Sequence, residues 1–517
     1  MRPSRDSTAR IAMSRSSRRS PWRSGVMGRF FPRLCGLSIW TTRAWRCNPV
    51  PMSHWPLRKQ DITRPAYRSL AQGIVAAIDA GSLRPGQRLP PHRDLAWQLG
   101  VSVQTVSRAY EELIRADLIS GEVGRGSFVK SGPRESLEVP WFRGPTDKPP
   151  IDLSMMTPVR LPLIADAWRD SMIRLAGRLP DSAMLSFRPR QTMSLYGGMA
   201  AAWLARCGMV VPAQRILITN GTTPAMFVAL MTVAQPGDII ATESITCHTL
   251  RPAAQHLHLR LRGIAGDERG MDPQALIAAA KAAGGRMKAV FLLPAGGGPM
   301  ARIIDRERRQ DLAEAAAIAG LMILESDPTG PMPLRRPAPV ASLAPDRSFY
   351  FTGLSKCLSP GLRLGFLAMP ENLAEAALNR HLSMNWMATP MMAEIAQDWI
   401  MSDTADALLG AQRVELAARN RLVQRYLGPQ AQGFLHGLHR WLPLPDAADE
   451  GTLVAAALGQ QVAVAPGSGF AMLPSGPAIR IAVGGPGVGE LDDALRRICA
   501  ILPAGLAASG AVDGQPV

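Results

Sequence analysis

From Ile151 onward, short apolar runs alternate with Ala-rich stretches of helical period, and this constrains the fold more than any other feature of the chain. The runs fall at residues 215–219, 238–241, 289–293, 321–324 and 348–351. Each is too short for a helix and lacks polar alternation, as a strand covered on both faces does. Strands that alternate with helices imply a mainly parallel sheet with helices on either side. Later runs, Trp441-Leu442-Pro443-Leu444, 462–465 and 479–483, predict a smaller α+β lobe. A chain of 517 residues, 47% hydrophobic and 19% charged, has the length and composition of a soluble protein of about three domains. No stretch approaches ~20 consecutive apolar residues, so no membrane span is expected.

The formal net charge is +17, and it is unevenly spread. Residues 1–51 hold eleven arginines and one acid, Asp6, which places +10 there and +7 over the rest. A basic chain points to nucleic acid or another acidic partner. The arginine-rich start has no helical or strand period. It reads as a disordered DNA-binding arm, as a transit-like segment, or as upstream translation with Met52 as the natural start, and the last reading is preferred. Six scattered cysteines (Cys35, Cys47, Cys207, Cys247, Cys357, Cys499) form no CxxC pair and have no histidine cluster beside them. That argues against a zinc site and a disulfide framework and fits the cytoplasm.

Ahead of the alternating region lies a unit of different character. Folded pattern begins near Ile62, and Tyr67, Leu70, Ile74, Val75 and Ile78 predict a helix over 66–80 that Gly81 stops. A second helix spans about 93–99 and ends at Gly100, and a third runs over about 103–116. Residues 118–129 alternate and contain Gly121, Gly124 and Gly126, which predicts a two-stranded wing. Gly100-Val101-Ser102 is the tight turn of a helix-turn-helix, with Ser102 as the N-cap. The third helix then presents Gln104, Thr105 and Arg108, with Val103, Val106 and Tyr110 facing inward. Polar side chains at the N-terminus of such a helix suit major-groove readout. Arg93 is placed for a phosphate, and Arg125, between two wing glycines, for the minor groove or backbone.

These residues carry a resemblance. The Gly81-to-Gly86 turn, Leu89-Pro90-Pro91, Arg93, Leu95-Ala96, Thr105-Val106, Arg108-Ala109-Tyr110 and Gly124-Arg125-Gly126 stand in the order of the GntR-family winged helix. The resemblance implies DNA-contact roles for Arg93, Ser102, Gln104, Thr105, Arg108 and Arg125, with double-stranded operator DNA as partner. Residues 131–150 are rich in Pro and Gly and read as a linker.

Beyond the linker the chain resembles fold-type-I aminotransferases that use pyridoxal 5'-phosphate (PLP), and the whole is similar to the MocR branch of the GntR family. The resemblance rests on Thr352-Gly353-Leu354-Ser355-Lys356, on Pro360-Gly361-Leu362-Arg363-Leu364-Gly365, and on Asn220-Gly221-Thr222-Thr223. It implies Lys356 as the Schiff-base lysine and Gly221, Thr222, Thr223, Ser355 and Arg363 as the phosphate site. Arg480 would take a substrate or effector carboxylate, and the protein would be a homodimer. The fold class expected is thus multi-domain. A winged helix-turn-helix covers 62–130, the linker 131–150, an α/β aminotransferase-like domain 151–400, a small α+β lobe 401–503 and a tail 504–517.

Four positions depart from the aminotransferase pattern. Gly298-Pro299 stands where the family has Asn-Pro, Ser326 where it has the aspartate that pairs with the pyridine nitrogen, Pro328 where it has a tyrosine, and Cys247 where an aromatic stacks on the ring. Asp327 is one residue from Ser326, but on a strand that neighbour points to the opposite face. Without the carboxylate the ring is a poorer electron sink. The reading is a regulator whose aminotransferase-like domain senses PLP or an amine. The alternatives are a working aminotransferase and a cofactor-free regulator with a degenerate pocket. No metal is expected.

Overall fold

The computed structural model of the chain describes residues 55–79, 82–83, 86–115, 118–122, 126–129, 149–185, 188–503 and 506. The basic segment 1–51, Gly81, Gly124, Arg125, most of the 131–150 linker and all but one residue of 504–517 lie outside the described residues.

Helices α1 (Ala66–Asp79), α2 (His92–Leu99) and α3 (Val103–Arg115) pack through Leu70, Ile74, Leu95, Leu99, Val106, Tyr110 and Leu113, all buried. Their spacing of three and four turns one stripe of each helix inward. Helix α2 stops at Gly100, whose φ of 64° is left-handed, a conformation that glycine adopts without a Cβ penalty. Strands β1 (Ile119–Glu122) and β2 (Gly126–Val129) form the antiparallel wing, with Ile119 opposite Val129.

Two expectations for this unit are corrected. Val103 does not face inward but is 44% exposed. It is the first residue of α3, and a helical side chain leans toward the N-terminus, here past the end of its own helix. The unit also begins ahead of Ile62. Trp55 is only 7% exposed and joins the core. Leu57 sits on Gly73 of α1, where an added Cβ would lie 2.6 Å from Leu57 Cδ2.

After the linker, β4 (Ile216–Thr219), β5 (Ile239–Glu243), β6 (Arg260–Ile264), β7 (Met287–Leu292), β8 (Met322–Asp327), β9 (Ser348–Gly353) and β10 (Gly365–Ala368) form one sheet, in the order β4-β10-β9-β8-β7-β5-β6. The pairings are parallel except those of β10, which runs antiparallel to both β9 and β4. One face packs Leu217, Leu324, Phe349 and Phe351 on Ala225, Met226 and Ala229 of α4 (Thr222–Val233). The other packs Val290, Leu292 and Ile323 on Leu276 and Leu312. Alternate residues of β8 therefore serve opposite layers.

The C-terminal lobe is a three-stranded antiparallel sheet, β11 (His439–Pro443), β14 (Ala478–Ala482) and β13 (Ala465–Pro466), with β14 in the centre. The short β12 (Val462–Ala463) pairs in parallel with β3 (Ile151–Asp152). The first residues after the linker are thus part of the lobe's strand pairing. The long helix Thr404–Leu427 holds the same incoming segment: the Gln412 amide accepts from Val159 N at 2.9 Å and donates to Val159 O at 2.7 Å.

Candidate functional site

The residues expected to read DNA lie on one short stretch of α2 and α3. The Ser102 hydroxyl accepts the Thr105 backbone N–H at 3.0 Å, satisfying an orphan donor of α3. The same hydroxyl lies 2.8 Å from Thr105 Oγ1. Ser102, Gln104, Arg108 and Arg93 are exposed, and Thr105 is half-buried. The Arg108 guanidinium stands 3.9 Å over the Tyr67 ring of α1, a cation–π contact that limits its rotamers. Arg88, not singled out in the sequence, lies against the wing: it bridges Phe128, and an added Cβ at Gly126 would come within 2.9 Å of its Nε. Its place depends on a strand contact that no local motif reveals.

In the large domain the turn before α4 and the loop after β9 meet. Gly221 caps α4 with φ of 103°. An added Cβ at Gly221 would lie 3.3 Å from Arg363 Nη2, and one at Gly365 would lie 2.6 Å from the Gly221 carbonyl carbon. Only glycine at both positions lets the two backbones approach this closely. Gly353 meets the Thr222 methyl in the same way, its added Cβ 3.1 Å away. Gly221, Thr222 and Arg363 are thereby brought together, and a helix N-terminus beside a guanidinium is suited to an anion. Thr223 is exposed and Ser355 half-buried.

Lys356 follows on the same loop, and its ammonium donates to the Met156 carbonyl. Burial, with Arg480 and Arg363 nearby, pushes its pKa down to about 8. Arg480 is buried in the centre of the lobe sheet, donates to the Ser154 carbonyl and stands 4.7 Å over the Phe470 ring. Burial brings it down to about 10, opposed by Asp152. Two histidines share this environment and are held neutral. Burial, then Arg480 and Lys356, lowers His248 to about 3. His439 is lowered to about 3 by burial and Arg480, and its Nε2 lies 2.9 Å from Gly298 O and 3.0 Å from Pro299 O. Two carbonyls at one nitrogen place the proton on Nε2. His439 was missed in the sequence, where a histidine in an apolar run reads as core. Burial raises the Cys247 thiol, which lies 2.9 Å from Thr249 Oγ1.

At the end of β8, Asp327 is fully buried and engaged away from Ser326. Its Oδ2 accepts Arg336 Nη1 at 2.5 Å and the Tyr350 hydroxyl at 2.6 Å, and its Oδ1 accepts Gly330 N at 2.9 Å. Pro328 packs on the Gly296-Gly297-Gly298 loop, where an added Cβ at Gly297 would lie 2.6 Å from Pro328 Cγ. The Pro328 departure is thus accommodated by the glycine at Gly297, next to the Gly298 departure. The fit to PLP is divided. Gly221, Thr222, Arg363 and Lys356 suit a phosphorylated aldehyde. At the ring end Ser326 brings no charge, and Asp327 is fully occupied elsewhere. No catalytic step follows from such a site.

Comparison with known proteins places both halves. A sequence profile described as "Bacterial regulatory proteins, gntR family" matches residues 66–129. The HTH-type transcriptional regulator YdeF of Bacillus subtilis is 29% identical over 438 residues, 80% of this chain and 88% of the relative. The HTH-type pyridoxine biosynthesis transcriptional regulator PdxR of Corynebacterium glutamicum is 26% identical over 311 residues, 58% of this chain and 65% of the relative. Among solved structures, Pyrococcus horikoshii kynurenine aminotransferase superposes with a TM-score of 0.63 at 19% identity, covering 71% of this chain and 96% of that one. Among the described residues no helix is long and apolar enough to cross a membrane, and no cluster of His, Cys, Asp and Glu is placed to hold a metal ion.

Proposed function

We propose that this chain, whose residues 66–129 match the gntR-family profile and whose large domain has the aminotransferase fold, is a transcriptional regulator whose large domain senses PLP or a competing amine at Lys356. The winged helix binds operator DNA through Arg93, Ser102, Gln104, Thr105 and Arg108, with Arg125 from the wing. The observation that carries the sensing half is the amine of Lys356, largely buried beside an anion cradle. With a pKa of about 8, roughly a tenth of Lys356 is free amine at pH 7, against well under a thousandth for an ordinary lysine.

Arg363, Ser355 and the N–H groups of Gly221, Thr222 and Thr223 hold the phosphate in this reading, and Arg480 holds an effector carboxylate. When bound, the cofactor supplies an aldehyde for the lysine amine. Ser326 gives its ring no charged partner, so the site is read as a sensor in the cytoplasm rather than an efficient enzyme. The name of the PdxR relative, a pyridoxine biosynthesis regulator, supports a B6-type effector. We read the protein as a homodimer, with paired winged helices on paired half-sites.

The test is borohydride reduction of the protein with added PLP, followed by mass mapping, with Lys356→Ala beside it. A visible absorbance band and an adduct on Lys356 are expected, both absent from the variant. The rate of adduct formation should rise with pH and level off above about 8. If no band and no adduct form, the cofactor-free reading holds. The engagement of Asp327 away from Ser326 favours that second reading.

A further inference from the structure

We infer that Lys59, ahead of the helix-turn-helix, is a DNA-phosphate contact of this protein, an inference that rests on the DNA-reading function above. Lys59 opens the single turn Lys59–Asp61. That turn is anchored upstream by buried Trp55 and by Leu57 seated on Gly73. Downstream, Thr63 N donates to Ser69 Oγ at 3.1 Å, and that hydroxyl donates to Asp61 O at 3.2 Å. The segment is therefore strapped across α1, and it delivers Lys59 to the turn between α2 and α3. An added Cβ at Gly100 would lie 3.0 Å from Lys59 Cε and 3.2 Å from its Nζ. The ammonium thus stands two residues before Ser102, the cap of the helix expected to enter the groove.

Charge supports DNA as the partner. The Asp61 carboxylate of this turn is taken by the Arg58 backbone N–H at 2.7 Å. Lys59 and Arg58 are both exposed, and neither forms an ion pair among the described residues. Arg93 stands at the other end of α2, roughly 10 Å away along the helix, so the two cations reach different phosphates. In helix-turn-helix complexes this first helix crosses the sugar-phosphate backbone. Basic side chains at its two ends fix register without reading sequence.

The same ammonium lies at the carbonyl end of α2, where a cation also stabilises the helix dipole. The experiment separates the two roles. Binding of the full chain to a fluorescein-labelled, mixed-sequence duplex of about 30 base pairs is measured over a salt series, for wild type, Lys59→Gln, Lys59→Arg and Arg93→Ala. Lys281→Gln, an exposed lysine on the helix Pro273–Ala282, serves as control. Each lost phosphate contact lowers the slope of log K against log[salt] by ~0.9. At about 0.15 M salt that is roughly a fivefold loss of affinity per winged helix. Lys59→Gln should show this loss, Lys59→Arg should not, and Lys281→Gln should match wild type. A lower melting temperature with an unchanged slope would make Lys59 a helix-capping residue and overturn the contact. If wild type binds, Arg93→Ala weakens binding and Lys59→Gln keeps the full slope, only this inference fails. If wild type does not bind duplex at all, the DNA-reading function fails and the inference with it.

Discussion

Arg336→Met should destabilise the large domain by about 3–5 kcal/mol, the cost of leaving one partner of a buried ion pair uncompensated. Asp327 has no solvent exposure and ends a strand that is buried from Ile323 onward. Arg336 gives it a charged hydrogen bond and also donates to the Gly330 carbonyl at 2.7 Å, closing the turn after β8. Burial and Asp327 together hold the Tyr350 hydroxyl protonated, so it donates to the same carboxylate oxygen. With Arg336 gone, the Tyr350 and Thr329 hydroxyls and the Gly330 N–H remain against a full negative charge. The double variant Asp327→Asn, Arg336→Met removes that charge and should recover much of the loss. Urea denaturation followed by tryptophan fluorescence measures both. A single variant within about 1 kcal/mol of wild type would show that Arg336 does not compensate Asp327.

Operator binding should fall steeply when the arginines of the reading face are removed, and the two should fail differently. Arg93 is exposed at the start of α2, and its proposed partner is a phosphate. Arg93→Ala should weaken specific and mixed-sequence duplexes alike, by roughly 1.5–3 kcal/mol or about ten- to 150-fold. Arg108 stands one turn into α3 over Tyr67. Arg108→Ala should cost about 1–3 kcal/mol on a selected operator and less on mixed sequence, because base-edge contacts carry discrimination. Lysine should replace Arg108 poorly, since it lacks the planar fork that both stacks and bonds bidentately. Gel-shift titrations on an operator selected from random duplexes measure all three. Wild-type affinity in both alanine variants, with helix content intact, would remove the reading face from α2 and α3.

What was legible in the sequence was set by local chemistry. Gly100 at a left-handed φ and Ser102 capping α3 are single-residue requirements, and each stands where the motif predicts. The runs around 216–219, 289–292 and 348–351 read as strands because both faces of the sheet are covered and no polar alternation interrupts them. The direction of Asp327 followed from strand alternation, but its partner did not, because Arg336 lies on a loop whose path no pattern encodes. The other gaps are of this second kind. Leu57 finds Gly73 across α1, Arg88 finds Gly126 across the wing, and Ile151 pairs with Val462 from the far end of the chain. Strand β10 and its reversed direction also went unread, because its four residues are too short a run to stand out.

A regulator that senses through Lys356 must couple that lysine to DNA, and linkage limits how large the coupling can be. A ligand shifts an equilibrium only by its differential affinity for the two states, typically 1–3 kcal/mol or about five- to 150-fold. The decisive measurement is the affinity of the full chain for its selected operator with and without saturating PLP, in wild type and in Lys356→Ala. A change of at least about fivefold in wild type, in either direction, with no change in Lys356→Ala is the expected result. An identical response in the two proteins, or none in wild type, would contradict it.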